Sequence, residues 1–385
     1  MIHSLTILTK RGRAPVSRSL GEHMHVHRRR TAEGGYSLIE LMIVITTMLF
    51  ILAAVSKLLR DSINISNTTY EMTDAQQSLR TAQEYIGRDL IHAGDGLDGI
   101  NNIQVPQAFV LSYLARNVVS DPLRPGYVNL PLVASDSTVP AAISVLGANP
   151  AVTVLANSDR LTMLALDRTF APTIAVPAGT ITGFGATISM LPADAARLTV
   201  GEIYCFTSAT GAAFGAITAI TPAGARVNVS FAAANSYSLN NPVAGGPLNR
   251  IGAGNAAGAS TQAVSLMRVR IIHYYVNSKK EFVKRVYGVA GSGFTDSLVA
   301  EHITNLKFRY LLAPSSTDDT VQQPVVQLTD NDQQIRVRQI ETSITAETTH
   351  PISYRSNVRP QTTMLTVTAI RDLQFRLAQQ PQAGG

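Results

Sequence analysis

Between Tyr36 and Ser56 the chain reads YSLIELMIVITTMLFILAAVS, 21 residues with a single charge, Glu40. A helix rises about 1.5 Å per residue, so this run spans roughly 30 Å, the thickness of a bilayer's hydrocarbon core. No other stretch of the 385 residues comes close. The pattern therefore predicts one pass over about 37–58, with Leu38, Leu41, Ile43, Ile45, Leu49 and Leu52 among its transmembrane residues. Whatever folds in water must be built from the rest of the chain.

Charge orients this segment. Residues 1–35 hold seven Lys or Arg against Glu22 and Glu33, so they carry five of the six formal positive charges. Arg28 to Arg30 lie just ahead of the apolar run, and cationic flanks stay in the cytoplasm. The expectation is a single-pass inner membrane protein whose C-terminal bulk is extracytoplasmic, although Lys57 and Arg60 weaken the bias slightly. Because the rest of the chain is nearly neutral, its basicity argues against a nucleic-acid partner. Charged residues make up only 15% of the chain, against the usual quarter, and 45% are hydrophobic. A single cysteine, Cys205, can form neither an intrachain disulfide nor a cysteine-based zinc site.

A cleavable secretory signal would have a shorter apolar region followed by small residues. Here the small residues, Gly34 and Gly35, come first. Glu40 is the second anomaly. A carboxylate within a membrane costs about 2.5–3.5 kcal/mol at the centre and less near the end, so it needs a partner.

Gly35-Tyr36-Ser37-Leu38-Ile39-Glu40-Leu41 resembles the type IV prepilin signal, Gly followed by Phe-Thr-Leu-Ile-Glu-Leu, with Tyr36 keeping the aromatic ring. The resemblance implies cleavage between Gly35 and Tyr36 by a membrane aspartyl prepilin peptidase, which then methylates the new amine of Tyr36. It also implies that Glu40 neutralises the N-terminal amine of a neighbouring pilin or pseudopilin as helices bundle into a filament. The physics agrees, since a buried charge needs a partner and a paired one can set register between helices. The implied leader, residues 1–35, is long. Met24 opens a compact basic leader, MHVHRRRTAEGG, and is a second candidate start beside Met1. The alternating His23, His25 and His27 fall within this leader and read as part of its basic tail rather than as metal ligands.

Past the membrane segment, Ile63, Tyr70, Ala75, Leu79, Ala82, Ile86, Leu90 and Ala93 recur mostly at steps of three and four. That spacing predicts one face of a helix packing on its own globular domain, with Gly94 and Gly96 as the stop. The polar stretch Asn64 to Thr69 is where this helix is expected to loosen. Residues 95–160 read as loop with short extended pieces. Strands are expected at Leu161–Leu166, Glu202–Thr207, Ala213–Ile220, Arg226–Phe231, Leu266–Val276, Leu306–Leu312, Ile335–Ala346 and Thr362–Ile370. Segments 208–225 and 232–262, rich in Ala, Gly, Asn and Ser, read as surface loops or a variable insertion. The expected fold is α+β: a leader (1–35), an N-terminal helix (36–94), and a mostly antiparallel β domain with long loops (95–385).

Four blocks resemble, in order, the PilW-like minor pilins: Arg88 to Gly94, Asn157 to Thr162, the strand around Tyr274 and Tyr275, and Leu298–Tyr310. Near the end, Arg371-Asp372 stands where that family often has Arg-Asn. The resemblance implies a subunit that aids type IV pilus assembly. A minor pseudopilin of a type II secretion system and a signal-anchored extracytoplasmic binding protein are the alternatives.

No catalytic constellation emerges. There is no His-Glu-x-x-His, Gly-x-Ser-x-Gly or P-loop, and Gly252 to Gly258 has one residue too many for a dinucleotide loop. His92, His273, His302 and His350 show no ligand spacing, and Cys205 falls in a strand pattern as a small apolar residue. The expectation is a non-enzyme without cofactor. Asp95, Asp98 and Asn101 form an oxygen-rich calcium candidate, but the segment lacks the bidentate glutamate of a calcium loop, and ordinary turns use the same residues.

Overall fold

The computed structural model describes residues 36–95, 97, 102–113, 124–136, 142–143, 152–167, 169–170, 174–233, 237–252, 259–290, 293–314, 324–328, 333, 336–351 and 358–370. The chain divides into two compact units, 1–62 and 63–385.

In the first unit the described residues are the start of one helix, α1 (Leu38–Ile91). It is the one helix among the described residues long and apolar enough to cross a membrane, and its most apolar window has no buried residue. Two threonines sit within that window at little cost because their hydroxyls bond back into the helix. Thr46 Oγ1 donates to Met42 C=O at 2.8 Å and Thr47 Oγ1 to Ile43 C=O at 2.8 Å.

In the second unit α1 buries one stripe: Ala75, Leu79, Ala82, Gln83, Ile86 and Leu90. The expected face is therefore real from Ala75 onward, whereas Ile63 and Tyr70 are exposed. The Asn64–Thr69 stretch does not loosen the helix. Thr68 and Thr69 donate to the carbonyls of Asn64 and Ile65 at 2.8 and 2.9 Å, so their polar side chains are satisfied within it. The helix ends at Ile91, and Gly94 turns the chain with φ of +81°. Gly96 lies outside the described residues.

Segment 95–160 holds the expected short extended pieces and, beyond them, a short helix. It contains β1 (Asn102–Pro106), α2 (Gln107–Tyr113), β2 (Tyr127–Pro131), β3 (Val133–Asp136) and the short pair β4 (Ala142–Ile143) and β5 (Val152–Thr153). Then follow β6 (Arg160–Leu166), β7 (Ile174–Thr182), β8 (Thr187–Met190), α3 (Pro192–Ala195), β9 (Ile203–Ser208), β10 (Gly211–Ala216), β11 (Ala219–Ala223), β12 (Arg226–Ser230) and α4 (Pro247–Ile251). The chain continues as β13 (Ser260–Val276), β14 (Phe282–Val289), β15 (Gly293–Ala300), β16 (Ile303–Leu312), β17 (Val337–Glu347) and β18 (Gln361–Ala369). Every pairing between these strands is antiparallel, which gives the expected α+β class.

The organising element is β13, 17 residues long. Its first half pairs with β7 and β9 and its second half with β6 and β14, so one strand joins two halves of an eleven-stranded sheet. One hydrophobic core lies with β6, β13, β14, β16, β17 and the buried stripe of α1, and a second lies between β7, β8, β9, β12 and α4. A separate sheet has the order β16-β17-β18.

Segment 208–225, expected both as a strand at Ala213–Ile220 and as loop, forms two strands, β10 and β11; the loop expectation for 232–262 is overturned where the chain forms α4 and the start of β13. Small residues are there because neighbours come close. A Cβ at Gly215 would lie 2.9 Å from Phe231 and 3.2 Å from Phe206. Burial alternates in β16, where Leu306, Phe308 and Tyr310 are buried. In β13 buried Val269 and Ile271 flank exposed Arg270, but His273, Tyr274, Tyr275 and Val276 are all buried because both faces are covered.

Candidate functional site

Tyr36 and Ser37 lead into α1, whose first turn carries Glu40. Tyr36, Leu38, Leu41, Ile43, Ile45, Leu49 and Leu52 are all exposed, as is Glu40 itself. This is a bare apolar rod with one carboxylate near its tip. Gly35, the leader with its three histidines, Asp98, Asn101 and Arg371-Asp372 lie outside the described residues. No group of three His, Cys, Asp or Glu placed to hold a metal occurs among the described residues. Asp95 instead lies 3.9 Å from the His92 ring.

The four blocks that suggested minor pilins meet one another in space. Asp89 at the end of α1 accepts a hydrogen bond from the Tyr274 hydroxyl at 2.6 Å and pairs with Lys284. Burial first, and then the Asp89 charge, push the Tyr274 phenol well above its usual range, so it remains a donor at every physiological pH. Asp159, buried just before β6, accepts from Lys307 Nζ at 2.8 Å and from the Phe308 N–H at 3.0 Å. Leu161 and Tyr274 are cross-strand partners. The blocks thus form the polar joints that tie α1, β6, β13 and β16 together.

Comparisons with protein-family models, with curated proteins and with solved structures gave no match.

Other charged joints lie within the sheet. Asp167 receives Arg268 at 2.7 Å and Arg270 at 2.8 Å. Burial alone would raise its carboxyl, but the Thr169 bonds and the two guanidiniums outweigh burial and hold it below the usual range. Arg268 also meets Glu202 at 2.9 Å, and Glu202 accepts from the Tyr204 hydroxyl at 2.7 Å. Arg285, with a side chain only 1% exposed, forks onto Asp296 through two 2.6 Å bonds. The ring of Phe294 lies 4.3 Å from its guanidinium carbon and that of Tyr275 5.6 Å away. Cation–ring attraction and the bidentate carboxylate offset what burying this charge costs.

Sequence reasoning missed these joints. Most of them join residues that are distant along the chain, such as Asp89 with Tyr274 and Asp159 with Lys307, and no sequence spacing signals such a partner. The only sign was the presence of Arg and Lys inside strand patterns. None of the joints has the geometry of a nucleophile beside a base. The single thiol, Cys205, is buried in β9, and burial pushes it up to about 12.

Proposed function

We propose that the chain is a minor pilin-type filament subunit, cleaved after Gly35, methylated at Tyr36 and assembled through its N-terminal helix, and that it aids type IV pilus assembly in the manner of the PilW-like proteins. The observation that carries the reading is the run Gly35-Tyr36-Ser37-Leu38-Ile39-Glu40-Leu41 at the head of a helix whose apolar half is entirely exposed. A plain anchor gains nothing from a carboxylate there. A helix bundle does, because a free amine from a neighbouring subunit compensates it. The buried stripe on the second half of the same helix supports a helix that packs on its own β domain.

On this reading the helix is held in the inner membrane with the β domain outside until a prepilin peptidase releases the leader. Intact-mass measurement of the protein from its native membrane tests it. A mature chain beginning at methylated Tyr36 is expected, and Gly35→Ala should leave the precursor uncleaved. A normally matured Gly35→Ala protein, or a mature end elsewhere, overturns the reading. Presence in sheared pili, against loss of protein export with pili intact, separates a pilus subunit from a secretion pseudopilin.

A further inference from the structure

Where α1 meets the sheet β16-β17-β18, the seam contains a polar island. The Thr366 hydroxyl of β18 donates to Gln83 Oε1 of α1. Thr342 of β17 is the cross-strand partner of Thr366, so the two side chains share the face toward the helix. Gln83 is only 9% exposed and Thr342 1%. Gln83 Nε2 and Thr342 Oγ1 nevertheless have no hydrogen-bond partner. Turning the amide round exchanges its two ends and still leaves one of them bare. A buried polar group without a partner carries the full cost of its desolvation, and water removes that cost when the seam opens.

The two ends of this seam are held unequally. Ahead of the buried stripe, the His350 backbone N–H donates to Glu71 at 3.1 Å and the His350 ring meets the same carboxylate at 2.7 Å. The His350 side chain is 75% exposed and that of Glu71 23%, so water screens this joint and it contributes little. At the far end Asp89 takes the buried Tyr274 hydroxyl and Lys284. Breaking a buried set of that kind is far more costly. Ala75 and Ala82 bury little area, which leaves Leu79 and Ile86 as the apolar anchors between the two ends. Gly87 lies just before Asp89, inside the helix, where glycine is the weakest helix former after proline. Packing does not require it, because a Cβ there would meet Thr368 Oγ1 at 3.8 Å, an ordinary contact.

We propose that residues 75–87 of α1 form a strap that detaches from the β16-β17-β18 sheet while the rest of the β domain stays folded. The strap opens at the Glu71 end, hydrates Gln83 and Thr342, and pivots at Gly87 with Asp89 as the fixed end. It is a cooperative unit of lower stability than the sheet core around β13 and β14. Once lifted, it loses the packing from which most helical stability comes, so its backbone N–H groups exchange with solvent. The inference rests on the fold alone and holds whether or not the chain enters a filament.

The test is hydrogen–deuterium exchange, read by mass spectrometry, on the full-length chain in lipid nanodiscs. In the wild type, peptides covering 75–87 should exchange about tenfold faster or more than those covering β13 and β14. Gln83→Met with Thr342→Val and Thr366→Val replaces the island by apolar groups of similar shape. This variant should slow exchange at 75–87 about tenfold or more and leave β13 and β14 unchanged. Glu71→Gln should speed exchange by about two- to fivefold at the 75–79 end and leave the Asp89 end unchanged. Wild-type exchange at 75–87 as slow as in β13 and β14 overturns the strap. A triple variant whose exchange there is unchanged or faster does the same. If the triple variant fails to accumulate, the wild-type hierarchy and Glu71→Gln decide, and equal speeding at both ends overturns the pivot and the strap with it.

Discussion

The Tyr274 hydroxyl donates to the Asp89 carboxylate across 185 residues of chain, at 2.6 Å. This bond pins the end of the helix to the central strand of the sheet. Asp89 keeps Lys284 if the hydroxyl is lost, so the carboxylate is never left bare. Tyr274→Phe should cost about 1.5–3 kcal/mol, the range for a hydrogen bond to a charged group. A denaturant midpoint that does not move would remove the bond from the list of what holds helix and sheet together.

Gly215 lies in β10, a strand built mostly of small residues. A methyl group there meets Phe231, Phe206 and the Leu248 side chain at 2.9 to 3.3 Å. Gly215→Ala should therefore destabilise the β domain by about 1–3 kcal/mol, as overpacking does. Thermal unfolding of the two proteins in parallel checks this, and an equal or higher midpoint would mean the aromatic pair has room to move.

Burial pushes the Cys205 thiol up to about 12, against an ordinary value near 8.5. Only the thiolate is nucleophilic, so alkylation of the folded protein near pH 8 should run about three orders of magnitude slower than in denaturant. Labelling kinetics followed by mass give the answer. Comparable rates in both states would contradict a sealed β9.

Glu347 is nearly buried, which raises its carboxyl, yet bonds and charges from Lys280 and Arg359 together hold it below its usual range. A depressed acid stabilises the fold above its unfolded value, about 4.3, and loses that contribution as pH falls through the lower native value. Asp167 has the same sign. Glu347→Gln should be less stable than the wild type at neutral pH, with the gap closing on acidification. Urea titrations at neutral pH and near pH 3 measure it, and a gap independent of pH would exclude the linkage.

Glu40 separates a filament subunit from an anchor. Glu40→Leu removes a carboxylate that disfavours insertion, so membrane insertion and cleavage after Gly35 should persist. Recruitment should fail, because a partner's buried ammonium is left uncompensated, a loss of about 3–5 kcal/mol. Co-purification with partner pilins after crosslinking reads the difference. Full recruitment of a processed mutant would return the residue to the status of a tolerated oddity.

Local pattern was enough for the elements that are decided locally. The membrane-length helix follows from an uninterrupted apolar run, because bilayer thickness and helix rise are fixed lengths. The buried stripe from Ala75 to Leu90 follows from a period of 3.6, and β16 from a period of two. What the chain could not reveal was anything that depended on a distant neighbour. Segment 208–225 reads as strand and as loop at once because its small residues make room for Phe206 and Phe231, which are known only once the sheet is assembled. The end of β13 loses its alternation because tertiary structure covers both its faces. The joints from Asp89 to Tyr274, Asp159 to Lys307 and Arg285 to Asp296 belong to no sequence period. They exist because the fold brings particular elements together, and only the assembled structure determines which.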